Sequence, residues 1–387
     1  MPWRTKSVMD QRTRFVLEAE RGFHSFSELC RRYGVSRPTG YKWVERYNAE
    51  GLEGLRDRSH RTESCPHATP QELVDRILEL RKHRGWGAKK LRKVLLREFD
   101  AVPSVDTVHQ VLRRGGMIEA PKPRRRRTHP GPPATVTDRP NAVWSVDFKG
   151  QFRTGDGKLC YPLTVQDTFS RFVLDCKGMR RLDQQHTRRR FDRLFRLYGL
   201  PDVIKSDNGH PFASTAVARL SKLSVHWIKL GIRPELIEPA SPHQNGTHER
   251  MHRTLKAETT RPPKNDLRAQ QRRFDRFRAI FNEERPHEAL DLETPASVYR
   301  PSATTISDSE KSVSYPPHFE VRKISQDTTI RWRNRKVFVS NLLKHEHIGF
   351  EEVGEGLWSA YFGPVHLGWL NERDYRIMDV KGHRRRR

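Results

Sequence analysis

Pro239-Ala240-Ser241-Pro242-His243-Gln244-Asn245-Gly246-Thr247-His248-Glu249-Arg250-Met251-His252-Arg253-Thr254-Leu255-Lys256 changes character partway through. Two prolines and Asn245-Gly246 forbid a continuous helix over its first part. From Thr247 no breaker appears until Pro262, so a helix is expected there. At 100° per residue Glu249, His252, Arg253 and Lys256 share one face. Met251 and Leu255, four apart, share the opposite side and can face a core. A carboxylate near a helix N-terminus is favoured by the helix dipole and well placed to hold a cation. The same letters allow two other readings. His248-Glu249-Arg250-Met251-His252 is literally H-E-x-x-H, the zinc-protease pattern. A solvated basic helix whose glutamate offsets its neighbours also fits. What decides among the three is whether acids elsewhere in the chain converge on Glu249.

The chain of 387 residues has room for several domains. Lys and Arg number 74 against 47 Asp and Glu, a net charge of +27, and an excess of that size points to polyanions, nucleic acid first. Cys30, Cys65, Cys160 and Cys176 lie far apart and form no C-x-x-C pair, so neither a zinc knuckle nor a disulfide framework is indicated. The sequence shows no apolar run of ~18 residues and no signal-peptide pattern, so the expectation is a cytoplasmic protein with no membrane partner.

Residues 7–47 read as helices with a sharp turn. Phe26 to Arg32 is a short helix, Gly34 sits at the turn, and Ser36 caps a second helix, the helix-turn-helix pattern. Small Cys30 suits a close helix crossing, and Pro38 is tolerated in a first turn. Gly40 replaces the usual apolar residue and is expected to weaken its helix by ~1 kcal/mol. Arg37, Thr39, Lys42 and Arg46 on the second helix suit phosphates and base edges. A second such unit is expected between residues 70 and 118, with Ser104 capping a helix that offers Thr107, Gln110, Arg113 and Arg114. C-terminal to these units, Pro121 to Pro133 is a basic, proline-rich linker carrying Arg124, Arg125, Arg126 and Arg127. It is unable to bury a core and able to lie along a phosphate backbone.

Beyond the linker the pattern becomes strand-like. Val143 to Lys149 alternates, with Trp144, Val146 and Phe148 on one side and Asp147 on the other. Further strands are expected over Leu159–Val165, Arg171–Cys176 and Asp202–Ser206, with a helix holding Phe191, Leu194, Phe195 and Tyr198. The last strand runs straight into Asp207-Asn208-Gly209. Three carboxylates thus come into view: Asp147, Asp207 and Glu249. A strand aspartate is costly to leave unpaired, and two divalent metals need a few hard oxygen ligands.

These residues resemble the transposase and retroviral-type integrase superfamily, the DDE recombinases with an RNase H-like core. The matching pieces are Trp144-Ser145-Val146-Asp147, Gln166 to Arg171, Ser206-Asp207-Asn208-Gly209, Ser241 to Gly246 leading to Glu249, and Phe281 to Leu290 followed by Thr294-Pro295-Ala296. The helix-turn-helix arms extend the likeness to bacterial insertion-sequence transposases. The resemblance implies that Asp147, Asp207 and Glu249 are the catalytic, metal-binding triad, holding two Mg²⁺ per site with Mn²⁺ able to substitute. It implies DNA contacts at Gln244, Asn245, Arg253 and Lys256 near the scissile phosphate, a structural role for Asp167, and packing or carboxylate-orienting roles for Arg285 and His287. It implies double-stranded DNA partners, both element ends and target, and a homodimer or higher multimer on DNA. Asp207 and Glu249 are spaced further apart than the family's second and third acids usually are; the Leu223–Arg233 stretch is expected to hold the extra residues. A DNA-binding regulator with a vestigial core is the competing class.

The C-terminal part reads as short strands between 321 and 370, suggesting a small SH3-like β-barrel with Trp332, Trp358 and Trp369 in its core. The expected organisation is helix-turn-helix domains at 1–60 and 61–120, a linker at 121–137, an α/β RNase H-like core at 138–300, a linker at 301–317, the β domain at 318–380 and a basic tail at 381–387.

Overall fold

The computed structural model describes residues 7–58, 68–118, 135, 137–148, 150–238, 246–306 and 313–378. They fall into two compact units, residues 1–70 and 71–387. Among the described residues no helix is long and apolar enough to cross a membrane.

The first unit holds α1 (Val8–Arg21), α2 (Phe26–Arg32) and α3 (Arg37–Glu50). Ser7 and Asp10 close a capping box at the start of α1. The tight turn after α2 uses Gly34 at φ +66°, a conformation that costs an L side chain energy. Ser36 caps α3, its hydroxyl accepting the Thr39 amide. Gly40 corrects the sequence reading. A Cβ built there would lie 2.8 Å from Cys30 Sγ and 2.9 Å from the Phe15 ring. Gly40 is therefore the contact that lets α3 approach α1 and α2 over the core of Phe15, Val16, Leu29, Cys30 and Leu55, rather than a simple weakness in the helix.

The second unit begins with α4 (Gln71–Arg84), α5 (Ala88–Leu95) and α6 (Val105–Arg114). Their apolar stripes meet in one cluster around Ile77, Leu91, Leu95, Val108 and Leu112. Ile280 of the following α/β region packs against that cluster. Arg84 pairs with Glu284, and Lys93 Nζ lies 2.7 Å from Glu293. The helical trio is thus fixed to the sheet region.

The sheet comprises β1 (Val143–Phe148), β2 (Phe152–Arg153), β3 (Leu159–Asp167), β4 (Val173–Met179), β5 (Val203–Ser206) and β6 (Arg233–Leu236). β4, β3 and β1 pair antiparallel in turn; β1, β5 and β6 then pair parallel. This mixed sheet, with β1 at its centre, is the RNase H-like arrangement. One face is covered by α7 (Gln184–Tyr198), whose Phe191, Leu194 and Phe195 meet Trp144, Val146 and Ile204. The opposite face receives α9 (Gly246–Thr259) and α10 (Leu267–Ala279) through Met251, Leu255, Phe274 and Phe277, packed on Cys160, Val173 and Cys176. The alternation of β1 holds: Trp144 and Val146 face α7, while Ser145 on the other face meets α9.

The stretch at 223–233 is largely regular structure. It is α8 (Lys222–Lys229) running into β6. Leu223 and Trp227 enter the α7-side core, and Val225 and Ile228 enter the core of the C-terminal sheet.

The C-terminal strands are β7 (Glu320–Lys323), β8 (Thr329–Trp332), β9 (Arg335–Phe338), β10 (His347–Gly354), β11 (Leu357–Phe362), β12 (Val365–Asn371) and β13 (Arg376–Met378). They form a five-stranded antiparallel sheet, β13-β12-β11-β10-β7, and a separate β8-β9 hairpin; the described strands do not close into the expected barrel. Trp332 is buried, and its indole N–H and that of Trp358 both donate to Glu372 Oε1 at 3.0 Å. Trp369 corrects the expectation: it is half-buried outside the core cluster, edge-on to His366.

Candidate active site

β1 and β5 run parallel with Val146 beside Ser206. The next residue of each strand, Asp147 and Asp207, therefore reaches the same carboxyl edge of the sheet, about 5 Å apart at the backbone. Carboxyl ends of adjacent parallel strands are where open α/β sheets place their ligands. Asp207 is held by a short turn: its Oδ1 accepts the Gly209 amide at 3.2 Å, and Asn208 Nδ2 donates to Ile237 O at 2.6 Å. A Cβ at Gly209 would lie 3.0 Å from Asp207 Oδ2, so a side chain there would crowd the carboxylate. Burial pushes the Asp207 carboxyl above its ordinary range, and the Gly209 amide only partly opposes this.

Glu249 stands exposed in the first turn of α9. Its helix is tied to the strands by buried imidazoles. His248 Nδ1 lies 2.7 Å from Ser145 Oγ, and its Nε2 lies 2.7 Å from Thr164 Oγ1. His252 Nε2 lies 2.7 Å from the same Thr164 oxygen, and its Nδ1 lies 3.5 Å from Asp147 Oδ2. Thr164 is the cross-strand neighbour of Asp147 in β3, and its hydroxyl donates to Asp147 O at 3.0 Å. One hydroxyl has one proton, so both imidazoles must donate through Nε2. His248 Nδ1 then accepts from Ser145, consistent with burial holding that imidazole down at about 3. His252, one turn after Glu249, thus touches Asp147 from the buried face of α9.

This arrangement corrects the placing of His252. It belongs with His248, Met251 and Leu255 on the buried face, while Glu249, Arg253 and Lys256 are exposed. It also removes the zinc-protease reading, because both ring nitrogens of His248 are engaged by Ser145 and Thr164. Asp147 and Asp207 share one edge of the sheet, and Glu249 lies exposed on the helix docked beside β1 and β3. Even so, among the described residues no group of three His, Cys, Asp or Glu side chains stands close enough together to hold a metal. The donor chemistry nevertheless suits a hard divalent cation. Two strand-end carboxylates lie side by side there, and among the described residues no Lys or Arg offsets the half-buried Asp207.

The other expected residues take varied places. Asp167 is structural: it accepts the amides of Asn141 and Ser170, each at 2.8 Å. Arg285 pairs with Glu258 at 2.9 Å, and His287 lies edge-on to Phe281. Arg37 and Lys42 are exposed on α3, Thr39 sits in its cap, and Arg46 lies over the Trp43 ring. On α6, Gln110 and Arg113 are exposed and Thr107 is in the cap. Gln244, Asn245 and Arg124 to Arg127 lie outside the described residues. Sequence reasoning missed Thr164 and Ser145. Ser145 could have been found as the residue two before Asp147 on the same strand face; Thr164 needs the β1–β3 register.

An integrase core domain model matches residues 137–242, and a second integrase core model matches residues 230–295. A helix-turn-helix model matches residues 11–62 and a homeodomain-like model residues 39–112. An uncharacterized 31.7 kDa protein of insertion element IS407 from Burkholderia multivorans is 25% identical over 252 residues, 63% of this chain and 87% of that protein. An uncharacterized 39.2 kDa protein of insertion element IS476 from Xanthomonas euvesicatoria is 28% identical over 259 residues, 63% of this chain and 69% of that protein. Among solved structures, the HTLV-2 integrase catalytic core domain in complex with magnesium matches 43% of this chain and 100% of its own length, at 17% identity and a TM-score of 0.35. With helix-turn-helix units ahead of it and insertion-element proteins among the chain's relatives, residues 137–295 form an integrase core of the DDE transposase and retroviral-type integrase superfamily.

Proposed function

We propose that this protein is a DNA transposase. It binds the ends of a mobile element through its helix-turn-helix units, hydrolyses a phosphodiester there, and joins the freed 3′-OH to target DNA. The observation that carries this reading is the arrival of Asp147 and Asp207 at adjacent strand ends, with the helix that bears Glu249 docked on Thr164, the cross-strand neighbour of Asp147. Asp147, Asp207 and Glu249 are the residues that would hold two Mg²⁺, with Mn²⁺ able to substitute. When bound, such ions lower the pKa of a coordinated water and stabilise charge on phosphate oxygens. The chain's own part is orientation. Gly209 fixes Asp207, His252 steadies Asp147, and the His248–Ser145 bond fixes the angle of α9 and so the position of Glu249. Arg253 and Lys256, exposed beyond Glu249 on the same helix, supply cations for the DNA strand.

The reading includes double-stranded DNA as both end and target substrate, a dimer or higher multimer that pairs two ends, and a cytoplasmic setting. It also takes the C-terminal strands as a small SH3-like unit; the single core shared by Trp332 of the hairpin with Phe350 and Phe362 of the sheet supports that.

The test supplies supercoiled DNA carrying the element ends, with Mg²⁺, to wild type and to Asp147→Asn, Asp207→Asn and Glu249→Gln. Each substitution should abolish nicking at the ends while leaving end-binding within about twofold. Retained nicking, or loss of end-binding in all three, contradicts the reading.

A further inference from the structure

A cleft of about 740 Å³ opens between the C-terminal end of α4, the second half of α9 and the face of α10. Arg84, Lys264, Arg272, Arg273 and Arg276 line it, with Glu258 as its acid. Two of these charges are already matched: Arg84 pairs with Glu284, and Glu258 with Arg285. Lys264, Arg272, Arg273 and Arg276 have no carboxylate partner among the described residues. Arg273 is also pre-positioned, its guanidinium donating to the carbonyls of Glu258 and Pro262 at 2.9 Å each. Arg272 and Arg276 are four apart, on one exposed face of α10. A fixed, unmatched positive wall of this kind fits a repeating anion better than a single one.

The position of the cleft narrows the choice. Its α9 residues, Ala257 to Thr259, follow Glu249 by eight to ten positions on one uninterrupted helix. At 1.5 Å per residue the cleft lies about 12–15 Å from the catalytic edge. One strand of duplex DNA carries a phosphate every ~3.4 Å of axis, so that distance is about four nucleotides. Arg250, beside Glu249, and Lys90 of α5 continue positive charge between the two places; Arg250 and Arg285 add to burial in holding the Lys90 ammonium at about 8.

We propose that this cleft holds the phosphate backbone of the element-end duplex about four nucleotides from the phosphate placed at Asp147, Asp207 and Glu249. The proposal rests on the transposase reading and adds to it a register for the DNA. It also gives the helical trio α4–α6 a role as the fixed wall of a DNA channel, besides any groove contacts made by α6.

The test uses the full chain and a labelled duplex of the element's own end, taken from the DNA flanking its gene. Wild type, Arg272→Ala/Arg276→Ala and Lys264→Glu are compared between 50 and 300 mM salt, a range chosen around the ~50–200 mM over which phosphate contacts weaken most visibly. Loss of two phosphate contacts should lower the slope of log K against log salt by about 1.8 in the double variant. A methylphosphonate four nucleotides from the cleavage phosphate should weaken wild type several-fold and leave the double variant indifferent. The same modification about ten nucleotides away should act equally on both. An unchanged slope in the double variant and in Lys264→Glu, or equal interference at every position, overturns the cleft proposal. Nicking of the unmodified end by wild type in the same assay shows whether the transposase reading stands when the cleft proposal falls; absence of both end-binding and nicking overturns the two together.

Discussion

Thr164 carries more of the site than any residue that would touch substrate by itself. Its one hydroxyl receives two buried imidazole N–H groups and donates to the backbone of Asp147. Thr164→Val keeps the shape and strands both donors, at a cost of about 1–3 kcal/mol for each unsatisfied buried group. Thermal unfolding should fall by several degrees and end-nicking should fall with it; an unchanged melting temperature would contradict the network. His248 gives a pH signature. Its folded value is held at about 3 by burial, below the ordinary 6.5. The unfolded chain therefore takes up a proton first as pH drops. The contribution is fully present above about pH 6.5 and is lost progressively toward about 3, by up to about 1.4 kcal/mol per pH unit. His287 acts in the same direction, held low first by burial and then by Lys90 and Arg285. Denaturant titrations between pH 7 and 4 should show stability declining, more shallowly in His248→Asn than in wild type.

The helices and strands show why some of this could be read from the letters and some could not. The strand bearing Asp147 was legible because alternation separates Trp144 and Val146 from the acid. The turn after Asp207 was legible through Asn208-Gly209. The face of α9 was only half legible: periodicity placed Met251 and Leu255 inward, but it sorts apolar from polar, and here the interior accepts two histidines because Ser145 and Thr164 satisfy them. That satisfaction depends on cross-strand register, which a linear sequence does not display. Gly40 was misjudged for a related reason. Helix propensity favours alanine by ~1 kcal/mol, but a Cβ there meets Cys30 and Phe15 under 3 Å, and overpacking costs roughly 1–3 kcal/mol. Gly40→Ala should therefore speed hydrogen exchange across α1–α3 in the full chain; slower exchange would show that propensity wins.

Across the whole molecule, the excess of positive charge belongs to a protein that neutralises many phosphates, with +27 spread over helical arms, core and tail. End-binding should accordingly weaken steeply with salt in every catalytic variant as in wild type, because the acids and the basic surfaces do separate jobs. The central claim is that two aspartates at neighbouring strand ends and a glutamate on a docked helix act as one ligand set. The most direct measurement counts Mn²⁺ bound to the protein–DNA complex by electron paramagnetic resonance. The account predicts up to two ions per active site in wild type, and loss of tight binding in Asp147→Asn, Asp207→Asn and Glu249→Gln alike. Undiminished Mn²⁺ binding in Glu249→Gln would contradict it, since the helix would then present its carboxylate to something other than the shared ions.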